Sequence, residues 1–232
     1  MVEAKRLKNY LLYAIGEIIL VVLGILIAVA INNNNETKKV EADTLTVAKQ
    51  IESKLVSDIQ LISEVRTAIE VESDKYNRYL KKDKSDKERL EVLLEAPFLV
   101  TLSIQLLPIN PISDSKLNEA ISSKTELSDK LIEIEEDYNA IIIGLRLMDN
   151  TITKELISNL NHIKENYDWY EKLIIPNSNF TVDEYKYFGS TDYKNRVVHM
   201  KFLYADGYDG MLLDVQSSLK QKLEELRGLL RE

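Results

Sequence analysis

Residues 10–31 read YLLYAIGEIILVVLGILIAVAI, 22 consecutive positions broken by one charge, at Glu17. At a rise of about 1.5 Å per residue such a helix is about 33 Å long, enough to cross a hydrocarbon core of about 30 Å. This stretch decides the architecture, because it predicts an N-terminal transmembrane helix with the rest of the chain on one side. Lys5, Arg6 and Lys8 precede it, whereas residues 32–41 mix Lys38 and Lys39 with Glu36 and Glu41. The positive-inside rule then puts the N-terminus in the cytoplasm and the remainder outside it. Tyr10 and Tyr13 fall at the cytoplasmic interface, where amphipathic rings prefer to sit. Ala28-Val29-Ala30 also suits a signal-peptide cleavage site. However, the apolar run exceeds an h-region of about 7–15 residues and contains a carboxylate, so an uncleaved anchor is the expectation. The expected organisation is a cytoplasmic basic stub (1–9), the membrane helix (10–31), a polar exit linker (32–37) and an extracytoplasmic helical domain (38–232).

A carboxyl about a third of the way into a bilayer costs a few kcal/mol, so such groups face protein or water rather than lipid. On a helix Glu17 shares a face with Val21, Gly24, Ala28 and Ile31, and Gly24 with Ala28 forms a small-xxx-small pair that permits close backbone approach. Glu17, Gly24 and Ala28 are therefore the expected helix-association residues. A ring of such carboxyls in an oligomer would conduct or couple protons. A protonated Glu17 hydrogen-bonded across a helix pair, or lying near the interface, is the structural alternative and the default.

Composition closes several other routes. The chain has 232 residues, 45% hydrophobic and 29% charged, which allows one membrane segment and one domain with a true core. A net charge of -8 and no basic stripe interleaved with aromatics argue against nucleic acid as a partner. With no cysteine there is neither a disulfide framework nor a thiolate site. Seven glycines and four prolines suit long helices better than a turn-rich β architecture.

Beyond the linker, apolar residues recur by threes and fours at Leu45, Ala48, Ile51, Leu55, Ile59, Ile62, Val65, Ile69, Tyr76 and Leu80, predicting an amphipathic helix over about 38–82. Ser85 and Glu88 are spaced as a capping box for a short helix, and Pro97, Pro108 and Pro111 mark an irregular connection. A second stripe runs from Leu127 through Leu131, Ile134, Tyr138, Leu145, Ile152 and Ile163 to Tyr170. Ser123 and Glu126 have capping spacing at its start; the steps from Ile152 to Leu160 resemble a stutter where the helix would locally unwind or kink, and Asp149-Asn150 offers a place for a break. Leu212, Val215, Leu219, Leu223, Leu226 and Leu230 define a last helix over about 210–231. Three amphipathic helices need one another's cover, and the second is expected to fold back antiparallel along the first. The fold class is all-α: one N-terminal transmembrane helix, then an extracytoplasmic bundle of long antiparallel, coiled-coil-like helices.

Aromatics gather between Tyr167 and Tyr208, and residues 176–209 read as an irregular segment. Trp169, Tyr170, Tyr185, Tyr187 and Tyr193 are the candidate surface for a ligand or partner protein; the plainer reading is a small core that ties a loop to the bundle end. Neither His162 nor His199 has zinc-ligand spacing, so no metal is expected. The glutamates beside Ile134 suit a solvated helix face, and Asp206-Gly207-Tyr208-Asp209-Gly210 lacks the ligand pattern of a calcium loop and reads as a turn. No nucleophile elbow, phosphate loop or dinucleotide motif occurs, so neither catalysis nor a cofactor is expected.

The run Tyr13-Ala14-Ile15-Gly16-Glu17-Ile18-Ile19-Leu20-Val21-Val22, continued by Gly24-Ile25-Leu26-Ile27-Ala28 and then Ile31-Asn32-Asn33 with Asn35-Glu36, resembles the N-terminal signature of a family of uncharacterised membrane proteins from Bacteroidetes-type genomes. Residues 117–138, with Leu117-Asn118-Glu119 and Leu127 to Tyr138, resemble that family's looser second block. Asn34 and Ala30 stand where the family usually carries Trp and Gln. The resemblance implies a bacterial membrane topology and brings no activity, cofactor or catalytic residue.

The expected role is thus a non-catalytic, membrane-anchored oligomeric scaffold or accessory subunit of the bacterial inner membrane, its C-terminal domain periplasmic. Its expected partners are membrane lipid, further copies of itself and an envelope protein. The alternatives are a proton- or ion-coupled oligomer using Glu17, and an extracytoplasmic ligand sensor that signals through a partner.

Overall fold

The structure, a computed structural model, describes residues 2–101, 104–112, 125–175 and 178–231, with side chains from Gly16 onward. The described residues are helical or irregular, without a strand. Among the described residues seven α-helices follow in order: α1 (Val2–Leu80), α2 (Asp86–Glu95), α3 (Glu126–Asn166), α4 (Glu171–Ile174), α5 (Val182–Phe188), α6 (Thr191–Met200) and α7 (Asp209–Arg231). A 3-10 turn, Ala96–Phe98, follows α2, and a π-helical segment, Lys201–Tyr208, joins α6 to α7.

The polar run 32–37, expected as a linker, is helical and part of α1. No glycine lies between Gly24 and Gly144 and no proline precedes Pro97, so nothing in that run breaks the helix. Thr37, Thr44 and Thr46 return their hydroxyls to the carbonyls of Asn33, Val40 and Ala42 four residues back, which keeps these polar side chains compatible with the helix. Leu80 ends α1 where the charged run begins, and the Lys84 ammonium donates to the carbonyl of Tyr79 at 2.7 Å and to that of Lys81. Ser85 and Glu88 then form the expected capping box of α2.

The chain divides into two compact units, Met1–Gln50 with Ser113–Ile132, and Ile51–Ile112 with Glu133–Glu232. In the first, the residues from Gly16 to Ala42 are exposed except for half-buried Val40, while Thr44, Val47, Ala48, Ser128 and Leu131 are buried. Thr125 caps α3, its hydroxyl accepting from the Ser128 amide at 3.1 Å while the Ser128 hydroxyl accepts from the Thr125 amide at 2.9 Å. Ser123, expected at this cap, lies outside the described residues.

The second unit is a bundle of α1 from Ile51, α3 from Glu133 and the continuous run α6–π–α7. Glu52 meets Arg227, the Ile59 carbonyl meets Gln216 and Arg66 meets Asp209, so α7 runs antiparallel to α1. His162 meets Asp192, Asn159 meets Arg196 and Asp137 meets Lys222, so the same run is antiparallel to α3. It follows that α1 and α3 are parallel, contrary to the expected fold-back. The connection explains why. Asn159 holds the Val100 carbonyl and Asn139 holds Ile112, so residues 100–112 travel back along α3 before it starts. Twelve residue steps from Val100 to Ile112 can reach up to about 40 Å, more than the roughly 30 Å between the two asparagines on the helix.

Tyrosine hydroxyls hold this irregular stretch in place. Tyr76 donates to the Leu99 carbonyl at 3.0 Å and Tyr193 to that of Ala96; Tyr204 bonds both backbone groups of Gln105, and Tyr208 accepts from the Leu107 amide at 2.9 Å. Tyr76, Tyr193, Tyr204 and Tyr208 are all fully buried. They thereby satisfy backbone groups that a strandless buried segment would otherwise leave unpaired.

Helix α3 passes Asp149-Asn150 unbroken. The described part of 176–209 is mostly helical, because Thr181 with Glu184 and then Ser190 supply N-caps for α5 and α6. Asp206 to Gly210, read as a turn, continues the helix through the π segment into α7.

Candidate functional site

From Gly16 to Ile31 every side chain is exposed, Ile18 at 63%, Leu20 at 74% and Leu26 at 58%, so the described residues cover no face of this stretch. Among the described residues one helix is long and apolar enough to cross a membrane, and its apolar window is 0% buried. Glu17, Gly24 and Ala28 are all exposed, and a Cβ built on Gly24 meets nothing within 4 Å. Among the described residues the association face has no partner.

The five aromatic candidates divide. Trp169, Tyr170 and Tyr185 are half-buried, but Tyr187 is only 7% exposed and Tyr193 fully buried, so these two are core rather than surface. Tyr193 packs edge-on against Tyr79 at 5.8 Å and Phe188 at 5.1 Å, and Trp169 against Phe180 at 5.7 Å. Burial pushes the hydroxyls of both Tyr187 and Tyr193 upward in pKa. Around these two the plainer reading of the aromatic segment prevails.

Asp192, at the start of α6, is the polar hub of this end. It accepts from Arg196 Nε at 3.1 Å and Tyr187 Oη at 3.1 Å, and lies 3.3 Å from His162 Nε2. The Arg196 guanidinium, through its hydrogen bond first, holds the Asp192 carboxyl below its usual pKa. Arg196 Nη1 continues to buried Asn159 at 2.8 Å. A shallow cleft beside the hub is lined by Lys154, Ser158, Asn161, His162, Glu165 and Arg196. Of its lining residues, His162 and Arg196 both face Asp192, and the chain's second histidine, His199, faces Glu155 at 3.7 Å. Among the described residues no group of three or more His, Cys, Asp or Glu is placed to hold a metal.

Sequence reading missed a polar groove at the π segment. Arg66 grips Asp209 with both arms of its guanidinium, at 2.8 and 3.1 Å, and Ser63, Thr67, Glu70, Ser73, Asp74 and Ala205 line the space around the pair. The Asp209 hydrogen bond raises the Arg66 pKa further. The spacing of Ser63, Thr67, Glu70 and Asp74 on one side of the apolar stripe was the available signal.

The apolar stretch and the helix that continues it also carry the likeness to other proteins. Residues 17–87 match the Family of unknown function (DUF6090). The matched part runs from Glu17 to the first turn of α2 and agrees with the expectation of an uncharacterised family; residues 117–138, expected as its second block, lie outside the match. The comparisons with curated proteins and with solved structures gave no match.

Proposed function

We propose that this chain is a single-pass, membrane-anchored helical scaffold that acts by association rather than catalysis. Its N-terminus lies in the cytoplasm, the body is extracytoplasmic, and the membrane is a bacterial inner membrane. The observation that carries the reading is the Gly16–Ile31 stretch, apolar and exposed on every face, a state water does not tolerate and lipid does. The body supports it: its polar interior is spent on its own backbone, as with the tyrosine hydroxyls and Asn159, rather than converging on a cavity. In the membrane Glu17, Gly24 and Ala28 form the face on which copies meet, since a carboxyl at that depth is stabilised by protein rather than by lipid.

The cysteine-free sequence makes the test direct. Glu3→Cys, placed in the basic stub, is expected to resist a membrane-impermeant maleimide in intact cells, and exposed Ser53→Cys to react. The protein is expected to stay in the membrane fraction after alkaline carbonate. Ala28→Cys is expected to cross-link between copies in the membrane, and Leu26→Cys, on the opposite face, to do so much less. Release by carbonate, or labelling of Glu3→Cys, would overturn the anchor or its direction; equal cross-linking at both positions would overturn the association face.

A further inference from the structure

The π segment is the one place where the helical geometry departs from the α form over two turns. Each i→i+5 turn stores a residue that an α turn would not hold, and such bulges concentrate at sites of function. Beyond the segment, the ion pairs Arg66–Asp209, Asp137–Lys222 and Glu52–Arg227 set the register of α7 against α1 and α3.

What holds it is the connector. The Tyr204 and Tyr208 rings stack with centroids 6.0 Å apart and an interplanar angle of 19°. That separation matches two residues of extended chain, about 6.6 Å, and the two hydroxyls indeed bond Gln105 and Leu107, two positions apart. Asp149 of α3 lies beside Tyr208, and its Oδ1 is buried without a partner. On the neighbouring face Glu72 of α1 pairs with Lys75 through Oε1 and leaves Oε2 buried and unpaired. The π turn is thus clamped on one side by the connector and bordered by carboxylates whose polar capacity is incompletely used. Gly207 completes the fit. A Cβ there would stand 3.1 Å from the Phe202 carbonyl oxygen, five residues back at the π spacing, and 3.2 Å from Met148 Cε.

We propose that the Lys201–Tyr208 segment is a register latch. With residues 104–107 docked, Tyr204 and Tyr208 keep it π; when the connector lifts, the segment rewinds toward α and α7 slides and turns along α1 and α3. A partner that takes hold of the connector is thereby read out at Arg227 and Glu52, at the far end of α7. This mechanism does not depend on the proposed membrane topology.

Two variants probe the latch from opposite sides in the full-length, detergent-solubilised protein. Tyr204→Phe with Tyr208→Phe removes the clamp and keeps the rings; Gly207→Ala crowds the π form alone and favours the α form. Spin labels at Gln60→Cys and Lys220→Cys report α7 against α1, and labels at Gln60→Cys and Asn150→Cys report α3 against α1. The parent protein is expected to give one distance for each pair. Both variants are expected to add a second Gln60–Lys220 distance, displaced by about 3 Å or more since each returned residue moves α7 about 1.5 Å and turns it about 100°, with the Gln60–Asn150 distance unchanged. A single native distance in either variant at full helical content would overturn the latch, and so would parallel broadening of both pairs, which is general loosening.

Discussion

The Asp58–Tyr138 pair offers the sharpest test of how the bundle interior is stabilised. Tyr138 is fully buried and donates to Asp58, which is 6% exposed; Lys54 lies 3.0 Å from the same carboxylate and sits over the Tyr138 ring at 5.1 Å. Burial first, and then Asp58, pushes the Tyr138 hydroxyl well above its ordinary pKa, so it acts purely as a neutral donor. Tyr138→Phe removes one hydrogen bond to a charged group and leaves Asp58 paired with Lys54, a loss of about 2 kcal/mol. Asp58→Ala costs more, about 3 kcal/mol, because it strands the buried hydroxyl and deprives Lys54 of its anion. In the double variant no hydroxyl is stranded, so the total is expected to stay near 3 kcal/mol, a coupling of about 2 kcal/mol. Urea unfolding of the four proteins in detergent, followed by circular dichroism, reads these differences, and in a heat melt each kcal/mol corresponds to about 2–4 °C for a chain of this size. Additivity within about 0.5 kcal/mol would falsify the pairing as the energetic unit.

Two more outcomes follow from the same interior. Burial raises the Asp149 pKa, an effect the Tyr208 hydrogen bond only partly offsets; the charged form therefore weakens the fold at neutral pH, and stability recovers as pH falls through the raised value toward the unfolded one. Asp149→Asn is expected to be at least as stable as the parent at pH 7, with the gap closing below about pH 4; a parent more stable at pH 7 would reverse the sign. Arg196→Lys cannot serve Asp192 and Asn159 together, so a loss of about 1–2 kcal/mol is expected in the same unfolding assay, and an unchanged midpoint would remove Arg196 as the link between α3 and α6.

The legible parts of this molecule are those written in local pattern. The stripe Ile51, Leu55, Ile62, Val65, Ile69 and Tyr76 is buried as its spacing predicts, and so are Leu212, Val215, Leu219, Leu223 and Leu226. The Ser85–Glu88 box caps α2 because both of its bonds close within four residues. Leu45, counted with the stripe, is 40% exposed, and Glu72, which breaks it, is buried. Periodicity ranks faces, but a neighbouring helix decides where a face ends.

The candidate site was less legible, because its contacts join residues far apart in the chain. Tyr187 and Tyr193 resemble Trp169 and Tyr185 in composition, and only Ala96, Tyr79 and Asp192, brought in from other elements, make the first two core. Arg66 and Asp209 are 143 positions apart, and neither is unusual on its own helix.

By itself the sequence determined one apolar helix of membrane-spanning length, a mostly helical body and the main buried stripes, since hydropathy and helical period are properties of neighbours along the chain. Tertiary structure alone decided that α1 and α3 run parallel, that an irregular connector returns along α3 and that Asp206–Tyr208 is π helix rather than turn. Each of those depends on side chains finding partners far along the chain, as Tyr204 and Tyr208 find Gln105 and Leu107. A one-dimensional pattern does not encode such pairings, because burial selects them only after the helices have met.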